Sequence, residues 1–136
     1  MRITDTSDCH FAIEQIEADP RGDVRAKISA AGKGFSGANQ SVWFGRPDIE
    51  RFVADLRALD ESREGSAELE SMSPGECVLK FRNCDKLGHL DLEVAIARAV
   101  YDFGEADHFR CRIRFEVDPT AFSSMIDELA SELQCP

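Results

Sequence analysis

The sequence predicts an α+β protein with two layers: a largely antiparallel sheet of about six to seven strands and two helices packed on one of its faces. Three observations lead to this fold class. Several runs alternate between apolar and polar residues, as half-buried strands do, and two segments repeat apolar residues at helical spacing. Turn signals rich in Pro and Gly separate these runs. Because each helix has a single apolar stripe, both are expected to cover the same apolar sheet face.

The N-terminal third is predicted to form a hairpin and a further short strand. Residues 11–17 and 24–30 alternate between apolar and polar side chains, and the Asp-Pro-Arg-Gly segment 19–22 between them is a turn signal. The glycines within 32–37 indicate a loose connection, and residues 41–44 form a short apolar strand.

The first helix is predicted to open at the Arg-Pro-Asp segment 46–48, since proline suits the first helical position. Apolar residues then recur on one face, and the polar stretch after the helix ends at Gly65. The stripe consists of Ile49, Phe52, Val53, Leu56 and Leu59.

Four strands are predicted to follow, over residues 67–72, 77–82, 90–97 and 109–117, with a loop around Gly104 before the last. A final helix then begins at Asp118, which suits an N-cap, with Pro119 at its first position. Its apolar stripe consists of Phe122, Met125, Ile126, Leu129 and Leu133.

The alternation in the strands leaves the second face of the sheet open to water. That face is predicted to be rich in Arg and Lys, with two carboxylates among them. Opposite charges on neighbouring strands contribute about 0.2–1 kcal/mol per pair. The excess acid is therefore expected on helix surfaces and loops. The charged residues of the open face are Arg25, Lys27, Lys80, Arg82, Asp91, Glu93, Arg110, Arg112 and Arg114.

Length and charge narrow the classes of function. The 136 residues suit a single α+β domain, 1–136. The 26 Asp and Glu residues against 16 Lys and Arg give a net charge of -10. This charge disfavours binding to nucleic acid or to an anionic membrane, since both need positive charge on the protein. It suits solubility, and it also suits rapid encounter with a basic partner.

The cysteines and the N-terminus indicate a cytoplasmic protein. The five cysteines are an odd number without C-x-x-C spacing, which is typical of reduced thiols. Residues 1–10 contain no apolar run of the kind found in a signal peptide, and no segment approaches the length of a membrane helix. Cys77 and Cys111 fall at apolar positions of their strands and are expected in the core.

Two local motifs suggest chemistry, and neither supports a catalytic or cofactor site. Residues 32–37 spell G-x-G-x-x-G, but a strand follows them where a dinucleotide-binding motif requires a helix, which favours a flexible hairpin loop. Cys84, Asp85 and His89 share one turn and could form a nucleophile and its base. A solvated turn with an ordinary thiol is the simpler interpretation.

Other candidate groups also have simpler structural interpretations. The pairs Cys9-His10 and His108-x-x-Cys111 lack the spacing of a zinc site, so no metal or cofactor is predicted. Glu68 and Glu70 lie on one strand face and are expected to be solvated. Trp43, between two apolar neighbours, is expected in the core.

The order and content of these elements resemble the WapI-family immunity proteins of bacterial polymorphic-toxin systems. The resemblance runs from about residue 35 to residue 133, and it implies an antidote that binds a cognate toxin, often a basic nuclease. It implies no catalytic residues, because such proteins are inhibitors. The segments that carry it are 34–35 (Gly-Phe), 41–44, 49–59, 65–69, 85–90 and 113–120.

The resulting hypothesis is a non-catalytic immunity protein with a protein toxin as its partner. The first alternative is a small binding or scaffold module that uses the charged sheet face. The second is an enzyme that uses Cys84 and His89. A basic partner is expected to contact the acidic clusters outside the sheet. These residues are Asp60, Glu61 and Glu64 after the first helix, and Asp102, Glu105 and Asp107 in the last long loop.

Overall fold

The computed structural model describes residues 1–5, 8–102 and 104–136, except the side chains of residues 101, 102 and 105–107. Over these ranges the chain forms eight strands and two helices. The first four strands make one antiparallel sheet, called the N-terminal sheet, in the order in which they occur along the chain. They are β1 (Arg2–Thr4), β2 (His10–Ala18), β3 (Val24–Gly32) and β4 (Phe35–Phe44).

The last four strands make a second antiparallel sheet, called the C-terminal sheet, again in sequence order. One helix connects the two sheets and the other ends the chain. The elements are α1 (Arg46–Ser62), β5 (Ser66–Glu70), β6 (Cys77–Asn83), β7 (Leu90–Asp102), β8 (Glu105–Val117) and α2 (Phe122–Glu132).

The α+β class is confirmed, whereas the single sheet of six to seven strands is wrong. Each strand alternates in the same way whether it belongs to one sheet or to two, so the pattern does not report the number of sheets. The apolar faces of both sheets and of both helices meet in one hydrophobic core. Strand β1 has no counterpart in the predicted elements because its three residues contain a single buried side chain, Ile3.

The prediction that both helices cover a single sheet face is wrong, because α1 packs on the C-terminal sheet whereas α2 contacts both sheets. Helix α1 packs against β5 and β6, and α2 packs against α1 and β2. Phe81 of β6 lies at the centre, with its ring 6.2 Å from that of Phe52 on α1 and 5.7 Å from that of Phe122 on α2. This aromatic contact joins both helices to the C-terminal sheet.

The two sheets meet closely where β4 crosses β7 and β8. A Cβ atom added to Gly37 would collide with the Cβ of Cys111, so glycine is needed for this approach. Nearby, the buried Asn39 donates a hydrogen bond of 3.2 Å from its side-chain amide to the carbonyl of Ala97. The small residue and the satisfied amide together allow β4 to lie directly against the other sheet.

Arg46, at the start of α1, fastens the helix to two distant segments. Its backbone N–H donates to the carboxylate of Asp23 at 2.9 Å, and its Nε donates to the carbonyl of Gly22 at 2.9 Å. One terminal nitrogen donates to the carbonyl of Leu133 at 3.3 Å. The first hairpin turn, α1 and the end of α2 are therefore held by one side chain.

The G-x-G-x-x-G segment forms a tight turn and not a loose loop. Gly32 pairs directly with Phe35, which leaves Lys33 and Gly34 as a two-residue hairpin connection. Both have positive φ, 54° and 85°, as a type I′ turn requires. The segment opens a strand, so it lacks the helix N-terminus that a dinucleotide site needs.

Two predictions about the C-terminal part are wrong. The supposed loop around Gly104 is the end of a long hairpin, because β7 and β8 pair continuously from Leu90 with Val117 to Asp102 with Glu105. Residues 98–100 of β7 and 108–110 of β8 are exposed, so no buried side chains mark one face of this part of the hairpin in the sequence. Asp118 does not cap α2, since its carboxylate accepts hydrogen bonds from Thr120 within a preceding turn.

Candidate partner-binding surface

Carboxylates are concentrated where α1 runs beside β5, in what we call the α1–β5 groove. This groove has a volume of about 380 Å³. Its lining consists of Asp48, Arg51 and Asp55 of α1, Ser66, Glu68 and Glu70 of β5, and Ser71. Arg51 donates a hydrogen bond of 2.9 Å to Asp48. Asp55 has no ion-pair partner among the described residues, so the groove carries an excess of negative charge.

Local sequence patterns place these carboxylates at the rim. On α1 the apolar stripe is buried, which leaves Asp48 and Asp55, seven residues apart, on the flank of the helix. On β5 the alternation buries Ala67 and leaves the side chains of Glu68 and Glu70 exposed. The two elements therefore present acid to the same groove from both sides.

The outer edge of β5 has backbone groups without a strand partner. Asn83 donates to the carbonyl of Gly65 at 3.2 Å, and Ser71 donates to the carbonyl of Cys77 at 2.9 Å. Because the direction of hydrogen bonding alternates along a strand, the N–H and C=O groups of Ser66, Glu68 and Glu70 point away from β6. These three residues form the free edge of β5, and their side chains lie in the α1–β5 groove.

The cluster predicted after the first helix is located at the end of α1 and in the connection to β5. Asp60 is paired at 3.1 Å with Arg63, which also donates to the carbonyl of Pro119. Glu61 and Glu64 are exposed and have no ion-pair partner in the described part of the chain. Of the three predicted residues, Glu64 is nearest to the α1–β5 groove, since it lies two residues before Ser66. Glu61 follows Arg57 by one helical turn, and Arg57 faces Asp127 of α2, so Glu61 lies away from the groove.

The second predicted cluster is not near the first. Glu64 lies at the end of the C-terminal sheet where Leu90 pairs with Asn83, whereas Asp102 and Glu105 pair at the opposite end of β7 and β8. Twelve residues of strand separate the two ends, which is roughly 40 Å. The side chains of Asp102, Glu105 and Asp107 lie outside the described residues.

The charged residues predicted on one open face are divided between two sheets. Arg25 and Lys27 lie on the outer face of the N-terminal sheet, and the others lie on the C-terminal sheet. On the latter, Asp91 is buried between Arg82 at 3.8 Å and Arg114 at 3.6 Å, and Glu93 pairs with Arg112. Positive charge on this face is largely neutralised by its own carboxylates, which does not favour it as a docking site for a charged ligand.

Comparison with models of protein families identifies the family of this chain. The model of the immunity protein WapI-like family matches residues 2–135. The protein belongs to this family. The match includes β1, β2 and β3, which lie before the stretch 35–133 that carries the resemblance in the sequence. No curated protein and no solved structure matches significantly.

In this WapI-like immunity protein the Cys84 turn is not arranged as a nucleophile and its base. The Sγ of Cys84 donates to the backbone carbonyl of His89, while the imidazole of His89 pairs with the carboxylate of Asp85. Desolvation and the nearby carboxylate of Asp91 raise the pKa of the Cys84 thiol above 9.0. A nucleophilic cysteine needs the opposite shift, since the thiolate is the reactive form.

The ion pair of this turn gives a pH-dependent prediction. The hydrogen bond to Asp85 raises the pKa of His89 above 6.5, and the bond from His89 lowers the pKa of Asp85 below 3.8. The stabilisation is therefore complete between about 3.8 and 6.5 and is lost as the pH rises through the folded pKa of His89 or falls through that of Asp85.

Asp85→Asn is expected to lower the titration midpoint of the His89 ring protons in an NMR titration. Glu116→Gln serves as the control, because its carboxylate is 3.9 Å from the Nε2 of His89 and should change the midpoint less. An unchanged midpoint in Asp85→Asn would contradict the pairing.

The other candidate residues from the sequence lie in the core or on the sheet surface. Cys77 is buried, which raises its pKa to about 12, and Cys111 packs against Gly37. Trp43 is half-buried beside Arg25 on the outer face of the N-terminal sheet, so its prediction as a core residue is wrong. Within the described residues, no three His, Cys, Asp or Glu side chains are grouped to hold a metal. Neither helix is long and apolar enough to cross a bilayer.

The α1–β5 groove does not follow from sequence reasoning alone. The pattern of β5 places Glu68 and Glu70 on one strand face, but it does not associate them with Asp48 and Asp55. The spacing of Asp48 and Asp55 on one helix flank is the signal that sequence offers. The packing of that flank beside β5 depends on the tertiary fold, and so does the position of β5 at the edge of its sheet.

Proposed function

We propose that this WapI-like immunity protein is a cytoplasmic, non-catalytic inhibitor that neutralises a cognate toxin by binding it directly. The observation that carries the proposal is the acidic α1–β5 groove, together with the exposed carboxylate of Glu64 two residues before it. Most of its carboxylates have no ion-pair partner among the described residues, so they are available to a basic surface. Complementary charge of this kind accelerates capture and selects the correct partner.

A nuclease is the class of toxin that best fits this surface. Enzymes that act on nucleic acid have positively charged grooves, because phosphate neutralisation supplies much of their affinity. An acidic protein can occupy such a groove in place of the substrate. In this proposal the antidote needs no catalytic residue, because blocking the groove is sufficient.

The test is binding to the toxin domain encoded by the gene adjacent to this one. We expect a stable complex in size-exclusion chromatography and an association rate that falls as salt is raised from about 50 to about 500 mM. The charge reversals Asp55→Lys, in the groove, and Glu64→Lys, beside it, should slow association. The same reversal at Glu14, on the outer face of the N-terminal sheet, is the control. Absence of a complex, or full toxicity in cells that express both proteins, would contradict the proposed function.

A further inference from the structure

We propose that the free edge of β5 binds an extended basic segment of the toxin as an additional strand of the C-terminal sheet. The inference rests on the proposed function and specifies its binding mode. Three observations support it: the orientation of the backbone groups of β5, the use of the same edge by β4, and the charge of the surrounding groove.

On one side of β5, backbone N–H and C=O groups are available to pair with an added strand. Ser66, Glu68 and Glu70 each direct an N–H and a C=O group away from β6, and none of these groups has a hydrogen-bond partner among the described residues. An added strand pairs with such groups through main-chain hydrogen bonds, and the side chains that alternate along it supply specificity.

The protein already uses the continuation of this edge for a strand-like contact. The N–H of Met72, the next outward position after Glu70, donates a hydrogen bond of 2.8 Å to the carbonyl of Trp43 in β4. The chain then leaves β4 at Phe44 and enters α1. Beside Ser66, Glu68 and Glu70 lies the α1–β5 groove, whereas the next outward position, Met72, is already bonded to β4.

Charge determines which segment can occupy the edge. The side chains of Glu68 and Glu70 lie on its outer face, and Asp48 and Asp55 lie on the opposite side of the groove. Two copies of this protein paired through β5 would bring the glutamates together, so self-association is disfavoured. A segment with Lys or Arg at alternate positions would instead pair each cation with a carboxylate.

The first experiment uses a synthetic peptide and does not require the toxin. The probe is acetylated Lys-Val-Lys-Val-Lys-Val-Lys amide, titrated into the ¹⁵N-labelled protein and followed by NMR. We expect the largest amide shifts at residues 66–70, and no comparable shifts with a Glu-Val peptide of the same length. Shifts confined to other strands, or none at millimolar peptide, would overturn the inference.

Glu68→Pro separates strand addition from simple charge attraction. Proline removes the outward N–H of Glu68 and no ladder hydrogen bond, so the variant is expected to fold. Peptide binding should weaken by about tenfold or more, a difference of about 1.4 kcal/mol. Glu68→Gln keeps the N–H and should lose less. Equal binding by the proline and glutamine variants would overturn strand addition. If Glu68→Pro fails to fold, judged by circular dichroism, amide hydrogen exchange of the wild-type protein replaces it. Strand addition should slow exchange of the amides of residues 66, 68 and 70 when the peptide is bound, and unchanged exchange at these amides would overturn the inference.

The same variants distinguish failure of the inference from failure of the proposed function. If the toxin domain binds the wild-type protein and Glu68→Pro equally well, toxin neutralisation stands and the β5 mode is wrong. If the toxin domain does not bind the wild-type protein, the proposed function fails, and the peptide titration decides whether β5 accepts a basic strand. Charge reversal at Glu128, exposed on α2 and outside the groove, should leave both measurements unchanged.

Discussion

Phe81→Ala is expected to lower the free energy of unfolding by about 3–5 kcal/mol, a large part of the stability of a domain of this size. The side chain of Phe81 is 1% exposed and lies between the rings of Phe52 and Phe122. Its removal leaves a cavity among α1, α2 and β6, and that cavity destabilises the packing of both helices on the C-terminal sheet. The measurement is urea unfolding followed by circular dichroism.

Phe35→Ala is the matched control for this prediction. It removes the same side chain at a position that is 72% exposed, so a change within about 0.5 kcal/mol is expected. Phe81→Leu, which fills part of the cavity, should lie between the two. Similar losses of stability in Phe81→Ala and Phe35→Ala would show that the aromatic contact does not hold the helices.

Arg46→Met is the second substitution with a large expected effect, a loss of about 2–3 kcal/mol. The side chain donates charge-assisted hydrogen bonds to the carbonyls of Gly22 and Leu133. A bond of this kind contributes about 1.5–3 kcal/mol net of the exchange with water, and the longer bond to Leu133 is expected to add little to this. Methionine keeps most of the apolar contact and removes the donors. The first hairpin turn, α1 and the end of α2 would then lose their shared contact.

Arg51→Met provides the comparison for Arg46→Met. Arg51 lies on the same helix and pairs with Asp48, but its side chain is 62% exposed. Exposed pairs of this kind contribute about 0–1 kcal/mol, so the substitution should change stability little. If the urea midpoints of the two variants agree, the proposed role of Arg46 in joining the three segments is wrong.

These two sites also connect stability with the proposed binding surface. Phe81 fixes α1 against the C-terminal sheet, and Arg46 fixes the start of the same helix. Since the α1–β5 groove is formed between α1 and the edge of that sheet, its shape depends on both contacts. Small changes in the position of α1 would separate Asp48 and Asp55 from the carboxylates of β5.

Much of the local structure could be predicted from residue patterns. The period of the apolar residues located α1 and the strands from β2 onward, because burial on one side imposes its own spacing on the sequence. Pro47 marked the start of α1, and the turn between β2 and β3 followed from its Pro and Gly. The predicted start of α2 is wrong. The carboxylate of Asp118 accepts a hydrogen bond within a turn before the helix, and the sequence of that turn resembles the sequence at a helix N-cap.

The acidity of this protein, its α+β class and its resemblance to WapI-family immunity proteins all follow from its residues alone. The division of the strands into two sheets, the position of β5 at an edge and the acidic groove beside its free backbone groups emerge only in the folded chain. Alternation reports which side of a strand is buried. It does not report which strand pairs with which, and therefore it does not reveal which hydrogen-bonding edge remains open.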